Sequence, residues 1–237
     1  SEQEVDPVTL HNQALMNMEE DPTTGFRKLN FLLQNPPFPP PTFGNLLLLY
    51  CKFQYYDLAA DVLAENTHLT FKMLTQDLYE YLDACIMVET SPAEAYRKFD
   101  DLTNKHIEGL RKLTKSIQDS RISRDNEAIK DSLKKYDESL EAYIPVLMAQ
   151  ARIYWEREHY PKVEKIFRQS AEFCSEHDVW KLNVAHVFFM QENKFKEAIH
   201  YYEPIINKHE HTILDVTAIV LANLCVSYIM TSQNEKA

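Results

Sequence analysis

Glycine is nearly missing from this chain of 237 residues: only Gly25, Gly44 and Gly109 occur, where average usage of about 7% would give roughly 15 or more. A phosphate-binding loop needs several glycines close together, because only a backbone without Cβ can close on the ligand. Three isolated glycines exclude Rossmann and Walker-type nucleotide binding. They also disfavour a many-stranded sandwich, which draws on glycine turns. Cysteine is scarce too. Cys51, Cys85, Cys174 and Cys225 are dispersed with no CxxC pair, so zinc and thioredoxin-like motifs are absent. They read as small buried hydrophobes in a reducing compartment. No Asn-x-Ser/Thr acceptor and no signal peptide is present.

Positive charge is also in deficit. Lys and Arg number 25 against 36 Asp and Glu, a net charge of −11, which argues against generic binding to nucleic acid or anionic lipid. One long apolar run exists, Ile213 to Met230, but it contains Asp215 and Asn223 and has no flanking Lys or Arg. A membrane span takes about 20 predominantly apolar residues, so this run reads as a helix enclosed by other helices. The nine histidines do not cluster with a Ser or Cys nucleophile, and no G-x-S-x-G elbow occurs. His209-x-His211 lacks a third ligand. The sequence offers no catalytic residues, no metal site and no cofactor site.

What remains is helical. Apolar residues recur at spacings of three and four. Asp6-Pro7, Ser91-Pro92-Ala93-Glu94 and Asp178 read as helix starts with caps, first-turn prolines and, at Ser91, a capping box. The segment ARIYWEREHYPKVEKIF aligns with HVFFMQENKFKEAIHYY when Tyr160 meets Phe195, an offset of 35. Ala151 then meets His186, Tyr154 meets Phe189, Val163 meets Ala198 and Phe167 meets Tyr202. Tyr228 and Ala237 continue the pattern, Tyr50, Tyr56, Ala59 and Leu63 repeat it, and Ile86, Ala95 and Phe99 follow 36 residues after Tyr50, Ala59 and Leu63. Met16, Leu29 and Pro37 form a weaker copy. A period near 34 with a small residue where two helices cross is the tetratricopeptide pattern. The expected fold is all-α: a right-handed superhelix (α-solenoid) of tetratricopeptide repeats, with a concave inner surface.

The pattern breaks once. Ala95 and Val163 stand two periods apart, and no repeat residues lie between them. Instead Phe99, Leu102, His106, Leu110, Leu113 and Ile117 form one stripe, and Ile129, Leu133, Tyr136, Leu140, Tyr143 and Leu147 another. Two long helices in an antiparallel hairpin, on the order of 40 Å long, are expected, weakest at Gly109 and bent at Pro145. The expected division is 1–90, N-terminal repeats; 91–144, the hairpin; and 145–237, C-terminal repeats with the last truncated. Residues 103–135 carry +4 and the remainder −15. Arg111, Lys112, Lys115, Arg121 and Arg124 therefore mark either a solvated face or a docking arm for an acidic partner. The run Asn35-Pro36-Pro37-Phe38-Pro39-Pro40-Pro41 reads as a junction between repeats rather than a polyproline ligand.

Mapping the inward positions of the first helix of each repeat gives a groove of Leu10, Leu48, Cys51, Met87, Met148, Trp155, Trp180, Val187, Met190 and Ile229, with Arg152 its one cation. An apolar groove suits an extended Pro-rich or aliphatic segment, which loses little entropy on binding. Trp180→Glu with Met190→Glu is expected to abolish capture in a folded chain. A co-chaperone repeat that grips a C-terminal carboxylate needs a ring of Lys, Arg and Asn, which this groove lacks. It remains the alternative, ahead of a helical enzyme acting through buried carboxylates.

The strings DPVTLHNQALMN, TFGNLLLLYCKFQYYDLAADVLAEN, YIPVLMAQARIYWEREHYPKVEKIFRQSAEFC, HDVWKLNVAHVFFMQENKFKEAI and AIVLANLCVSYIMTSQNEKA resemble the fleer-type tetratricopeptide subunit of intraflagellar transport complex B. The resemblance spans nearly the whole chain and is weakest between Tyr96 and Leu140. It implies a non-enzymatic scaffold for cilium assembly, present in the cilium or flagellum and in cytoplasm at its base. It also implies repeats that wrap an extended proline-rich stretch of intraflagellar transport protein 52, and links to kinesin-2 transport and tubulin polyglutamylation. The chain resembles roughly the middle third of such a protein. Ala237 would open the second helix of a last repeat, leaving Ile219 to Met230 partly uncovered. Self-association or poor solubility from that edge is the expected result; a strict monomer at high concentration in a dilution series would count against it.

Overall fold

The computed structural model describes residues 5–208, 218–233 and 236. His209, His211, the stretch 213–217 and Ala237, on which parts of the metal, membrane-span and last-repeat expectations rest, lie outside them. Among the described residues there are twelve α-helices and no strand. None of these helices is long and apolar enough to cross a membrane.

The chain divides into two compact units, residues 1–102 and 103–237. The first holds α1 (Pro7–Glu20), α2 (Pro22–Gln34), α3 (Thr42–Lys52), α4 (Tyr56–Glu65), α5 (Thr67–Met73), α6 (Gln76–Ile86) and the opening of α7 (Pro92–Ile122). The second holds the rest of α7, then α8 (Asn126–Trp155), α9 (Tyr160–Cys174), α10 (Asp178–Phe189), α11 (Phe195–Lys208) and α12 (Ala218–Met230). Successive helices pack as pairs: α1 with α2, α3 with α4, α8 with α9, α10 with α11. Short α5 is an insertion that the repeat spacing does not announce.

Helix starts follow local chemistry. Asp6, Asp21, Thr75 and Asp125 each accept a hydrogen bond from the amide three residues on, at 3.0–3.3 Å, which satisfies an otherwise orphaned donor. Asp178 behaves differently: His177 is the cap residue of α10, and the Asp178 carboxylate pairs with Lys208 on α11 at 2.5 Å. The proline run Asn35 to Pro41 fills the junction between α2 and α3. α8 runs through Pro145 without interruption.

The pairs close because one position in each second helix is small. Ala59, Ala95 and Ala198 are fully buried, and Val163 nearly so. Gly25 stands at the equivalent place on α2, 34 residues before Ala59. A Cβ there would collide with the Met18 side chain and lie 2.9 Å from the Ala14 carbonyl oxygen, so α1 and α2 approach more closely than any side chain permits.

The turns repeat as well. Gln54, Glu158 and Ser232 take left-handed φ values of 62°, 57° and 62°, each four residues after a tyrosine. The following amide closes on that tyrosine's carbonyl: Tyr55 on Tyr50 at 2.8 Å, His159 on Tyr154 at 3.0 Å and Gln233 on Tyr228 at 2.8 Å. Such closures satisfy terminal carbonyls. Arg124 does the same at the hairpin turn, with φ 55° and Asp125 N on Ser120 O at 3.1 Å. No glycine has positive φ. Phe189 aligns with Tyr154 in sequence, but its turn closes through Gln191 N on Phe188 O and Lys194 N on Gln191 O, both 3.0 Å.

In the first unit the α2–α3 contact is aromatic and polar. Phe26 stacks on Tyr50 at 4.6 Å, and Asn30 Nδ2 donates to Tyr50 Oη at 2.8 Å. Asn45 on α3 hydrogen-bonds His11 on α1 at 3.1 Å, across 34 residues. Cys51 and Cys85, also 34 apart, are both buried, and the neighbouring Cys51 thiol together with burial pushes the Cys85 thiol above its ordinary range. Cys51, Cys85 and Cys174 are buried and Cys225 is half-buried. Lys98 pairs with Asp83 and fixes α7 on α6, where Tyr81 meets the fully buried Phe99 edge-on.

α7 and α8 have 31 and 30 residues, each about 45 Å long at 1.5 Å per residue. In the second unit they run antiparallel. Thr103 Oγ1 meets Gln150 Oε1 at 3.3 Å, His106 faces Tyr143, and Ser116 and Ser132 hydroxyls meet at 3.1 Å. The α8 stripe departs from the sequence reading at one place: Leu133 is exposed and Ser132 is buried. The Ser116–Ser132 contact turns Ser132 toward α7, and Leu133, one residue on, faces solvent.

The three glycines do different work, and substitution separates them. Gly25→Ala should destabilise the chain by about 1–3 kcal/mol through overpacking. Gly109, whose Cβ would meet nothing within 4 Å, should gain about 0.5–1 kcal/mol as Gly109→Ala, the helix-propensity difference. Urea denaturation midpoints check both signs.

Candidate functional site

α8 and α10 lie side by side against α9, and a trough runs between them. One cleft, of about 190 Å³, is lined by Met148, Ala151, Arg152 and Trp155 from α8, Val163 and Phe167 from α9, and Asn183, His186 and Val187 from α10. A second, of about 240 Å³, is lined by Ile144, Leu147, Met148, Cys174, His177, Asp178, Val179 and Trp180. Met148 belongs to both, so the two make one trough. Each cleft is smaller than the roughly 300–1,000 Å³ of a small-molecule pocket and suits single side chains of an extended segment.

The trough carries little net charge. Arg152, exposed at the rim, donates from Nε to Glu156 at 2.8 Å. Asn183 donates to the Val179 carbonyl at 2.9 Å, and Asp178 is paired with Lys208. Trp155 is half-exposed and packs edge-on to Tyr160 at 5.2 Å. A flat, partly wet indole at an apolar rim is a natural contact for proline rings.

Behind this surface the walls are fixed by polar bonds. Trp180 Nε1 donates to Ser170 Oγ at 2.8 Å, and Ser170 passes its proton to the Phe167 carbonyl at 2.7 Å. Glu164 on α9 accepts from Arg168, Gln191 and Lys194 at 2.6–3.0 Å. Burial pushes its pKa up, but these donors outweigh it and hold the carboxyl below its ordinary value. It clamps α9 to the α10–α11 turn. On α10, His186 Nδ1 lies 2.6 Å from Tyr202 Oη, and Asn223 Nδ2 on α12 donates to that same oxygen at 3.1 Å. In the tautomer with Nδ1 unprotonated, the Tyr202 hydroxyl donates to His186. Burial lowers the His186 pKa and pushes Tyr202 up to about 12. His186 and Asn223, 37 residues apart, form the second unit's counterpart of the His11–Asn45 contact.

The positions read from sequence divide accordingly. Met148, Arg152, Trp155 and Val187 meet in one cleft, and Trp180 joins Met148 in the other. Trp180 and Val187 are 6% and 2% exposed, so they are walls. Trp180→Glu would place an unpaired carboxylate in the core and is not a clean test of binding. Met190 and Ile229 are exposed at the ends of α10 and α12 and line neither cleft. Leu10, Leu48 and Met87 are half-buried and Cys51 is buried, all in the first unit. Asn183, His186 and Val179 were missed. His186 carried a signal, since it aligns with Ala151, a small-residue position. On the hairpin, Arg111 donates to Glu172 from both Nε and Nη2, and Lys112 pairs with Glu108 at 2.6 Å. Lys115, Arg121 and Arg124 are exposed.

Residues 42–237 match the family described as the Intraflagellar transport protein 70 C-terminal domain. Over all 237 residues the chain is similar to intraflagellar transport protein 70A of Danio rerio at 69% identity and of Homo sapiens at 68%, and to intraflagellar transport protein 70B of Mus musculus at 69%. It spans 36% of the length of each of these relatives.

Neutral His186 ties stability to pH. The unfolded chain takes up this proton near the ordinary value of about 6.5, the folded chain only at lower pH. Between the two the unfolded state binds more protons, so stability falls as pH drops below about 6.5. In His186→Gln that part of the fall should disappear: the urea midpoint of the variant should change less than that of the parent between pH 7.5 and 5.5.

Proposed function

The chain belongs to the intraflagellar transport protein 70 family, and from that premise we propose that it is a scaffold segment of intraflagellar transport complex B that holds an extended proline-rich stretch of a partner subunit in the α8–α10 trough. The partner is intraflagellar transport protein 52, and the setting is the cilium or flagellum and the cytoplasm at its base. The chain acts by binding, with no catalytic step, in trains moved by kinesin-2 and in cilia whose tubulin is polyglutamylated.

One observation carries this reading: two side-chain-sized clefts joined at Met148, apolar inside and rimmed by the half-exposed Trp155. An extended segment with apolar residues at intervals fills such clefts in succession. Proline suits it because its backbone is already extended and loses little freedom on binding. The walls are held by Trp180–Ser170, the Glu164 clamp and the His186–Tyr202–Asn223 triad, so the trough is formed before the segment arrives. The carboxylate-clamp reading finds no support here, since Arg152 is the trough's one Arg or Lys and Glu156 engages it.

Met148→Glu and Trp155→Glu alter the surface without touching the buried walls. Each should weaken capture of the proline-rich segment by about tenfold or more, the effect of losing a central anchor. Calorimetric titration, with thermal melting as the check on folding, measures this. Unchanged affinity in both folded variants would show that the segment binds elsewhere.

A further inference from the structure

We propose that the tip of the α7–α8 hairpin is a second docking surface, for an acidic protein segment that also presents an apolar side chain. Residues 103–135 carry nine Lys and Arg, but most are engaged within the chain. Arg111 is held by Glu172, Lys112 by Glu108, Lys135 by Asp131 and Lys134 by Glu138, and Lys105 has a partner of its own. Lys115, Arg121, Arg124 and Lys130 have no ion pair among the described residues, and all four are exposed. Lys115 and Arg121 lie in the last two turns of α7, Arg124 in the hairpin turn and Lys130 near the start of α8.

The acids within 115–130 do not cancel them. Asp119, Asp125 and Glu127 stand against the four cations, and Asp125 is turned to the Ala128 amide at 3.0 Å as the cap of α8. Among these cations, Ile122 is 81% exposed at the last position of α7. Seven residues after Lys115, it shares that helix face. A carboxylate pair meets Arg121 and Arg124 in bidentate fashion, and an aliphatic side chain of the same segment covers Ile122.

The remainder of the chain is −15, so an acidic partner is repelled elsewhere and steered to this tip. A lone apolar residue is too little for seating in a membrane interface, which takes a whole apolar helix face. The tip is separate from the trough, which holds none of these residues.

The test uses the full chain and a labelled peptide of repeating Glu-Glu-Asp-Leu, read by fluorescence anisotropy at low salt. Arg121→Glu, Arg124→Glu and Lys130→Glu together should weaken binding by about tenfold or more, since reversed charges repel as well as fail to attract. Lys72→Glu, Lys165→Glu and Lys196→Glu together change the net charge equally and should change binding less than about twofold. Ile122→Ala should weaken it by roughly threefold, the loss of one exposed apolar contact. Melting curves establish that each variant is folded. The proposal is overturned if the peptide does not bind, or if both triple variants lose affinity equally. It is also overturned if the tip variant abolishes only sedimentation with vesicles of one part phosphatidylserine to four of phosphatidylcholine, or only self-association.

Discussion

A pair of helices can close only where one of them has almost nothing to put in the way. That steric condition is met by Gly25, Ala59, Ala95, Val163 and Ala198, and the rest of the architecture depends on it. The close crossing buries the aromatic and aliphatic residues on either side, such as Phe99 and Tyr202, each contributing roughly 1.5–3 kcal/mol if fully removed from water. It also sets the distance at which one pair meets the next, and therefore whether a trough of single-side-chain width exists between α8 and α10. Polar bonds then fix the register between pairs. His11 with Asn45, and His186 with Asn223, tie a first helix to the first helix of the following pair, and Tyr202 on α11 joins the second contact.

The repeat was legible because crossing residues and turn tyrosines obey a fixed period, and the three turns after Tyr50, Tyr154 and Tyr228 close in the same way. The hairpin was legible because two long apolar stripes had no stop signal inside them. Other features obeyed no period. Helix α5 is an insertion with no counterpart in the other repeats. Gly25 was hidden because a period search looks for alanine, and the meaning of a glycine inside a helix depends on its neighbour: crowded at Gly25, open at Gly109. The scarcity of glycine also acquires a different explanation. The left-handed turn positions are filled by Gln54, Arg124, Glu158 and Ser232, although side chains there cost about 1–2 kcal/mol relative to helical φ, and all three glycines lie in helices.

The site was half legible. Helical phase places Met148, Arg152 and Trp155 on one face, and the structure brings them together. Phase alone could not say that Trp180 and Val187, on an equivalent face of α10, are covered. Trp180 is turned inward by Ser170 and enclosed by Phe167 and Tyr201, and none of these lies on its own helix. Charge counting had the same limit on the hairpin. It found the basic excess, but Glu172, from α9, pairs with Arg111, and sequence separation conceals that pairing.

Amide hydrogen exchange of the chain, free and with the proline-rich segment bound, tests whether a preformed trough between α8 and α10 is the binding surface. The prediction is added protection confined to residues 144–155 and 179–190, over an α9 that already exchanges slowly in the free chain. Protection appearing instead on the hairpin or α12, or a free chain in which α9 and α10 exchange rapidly until the segment is added, would contradict it.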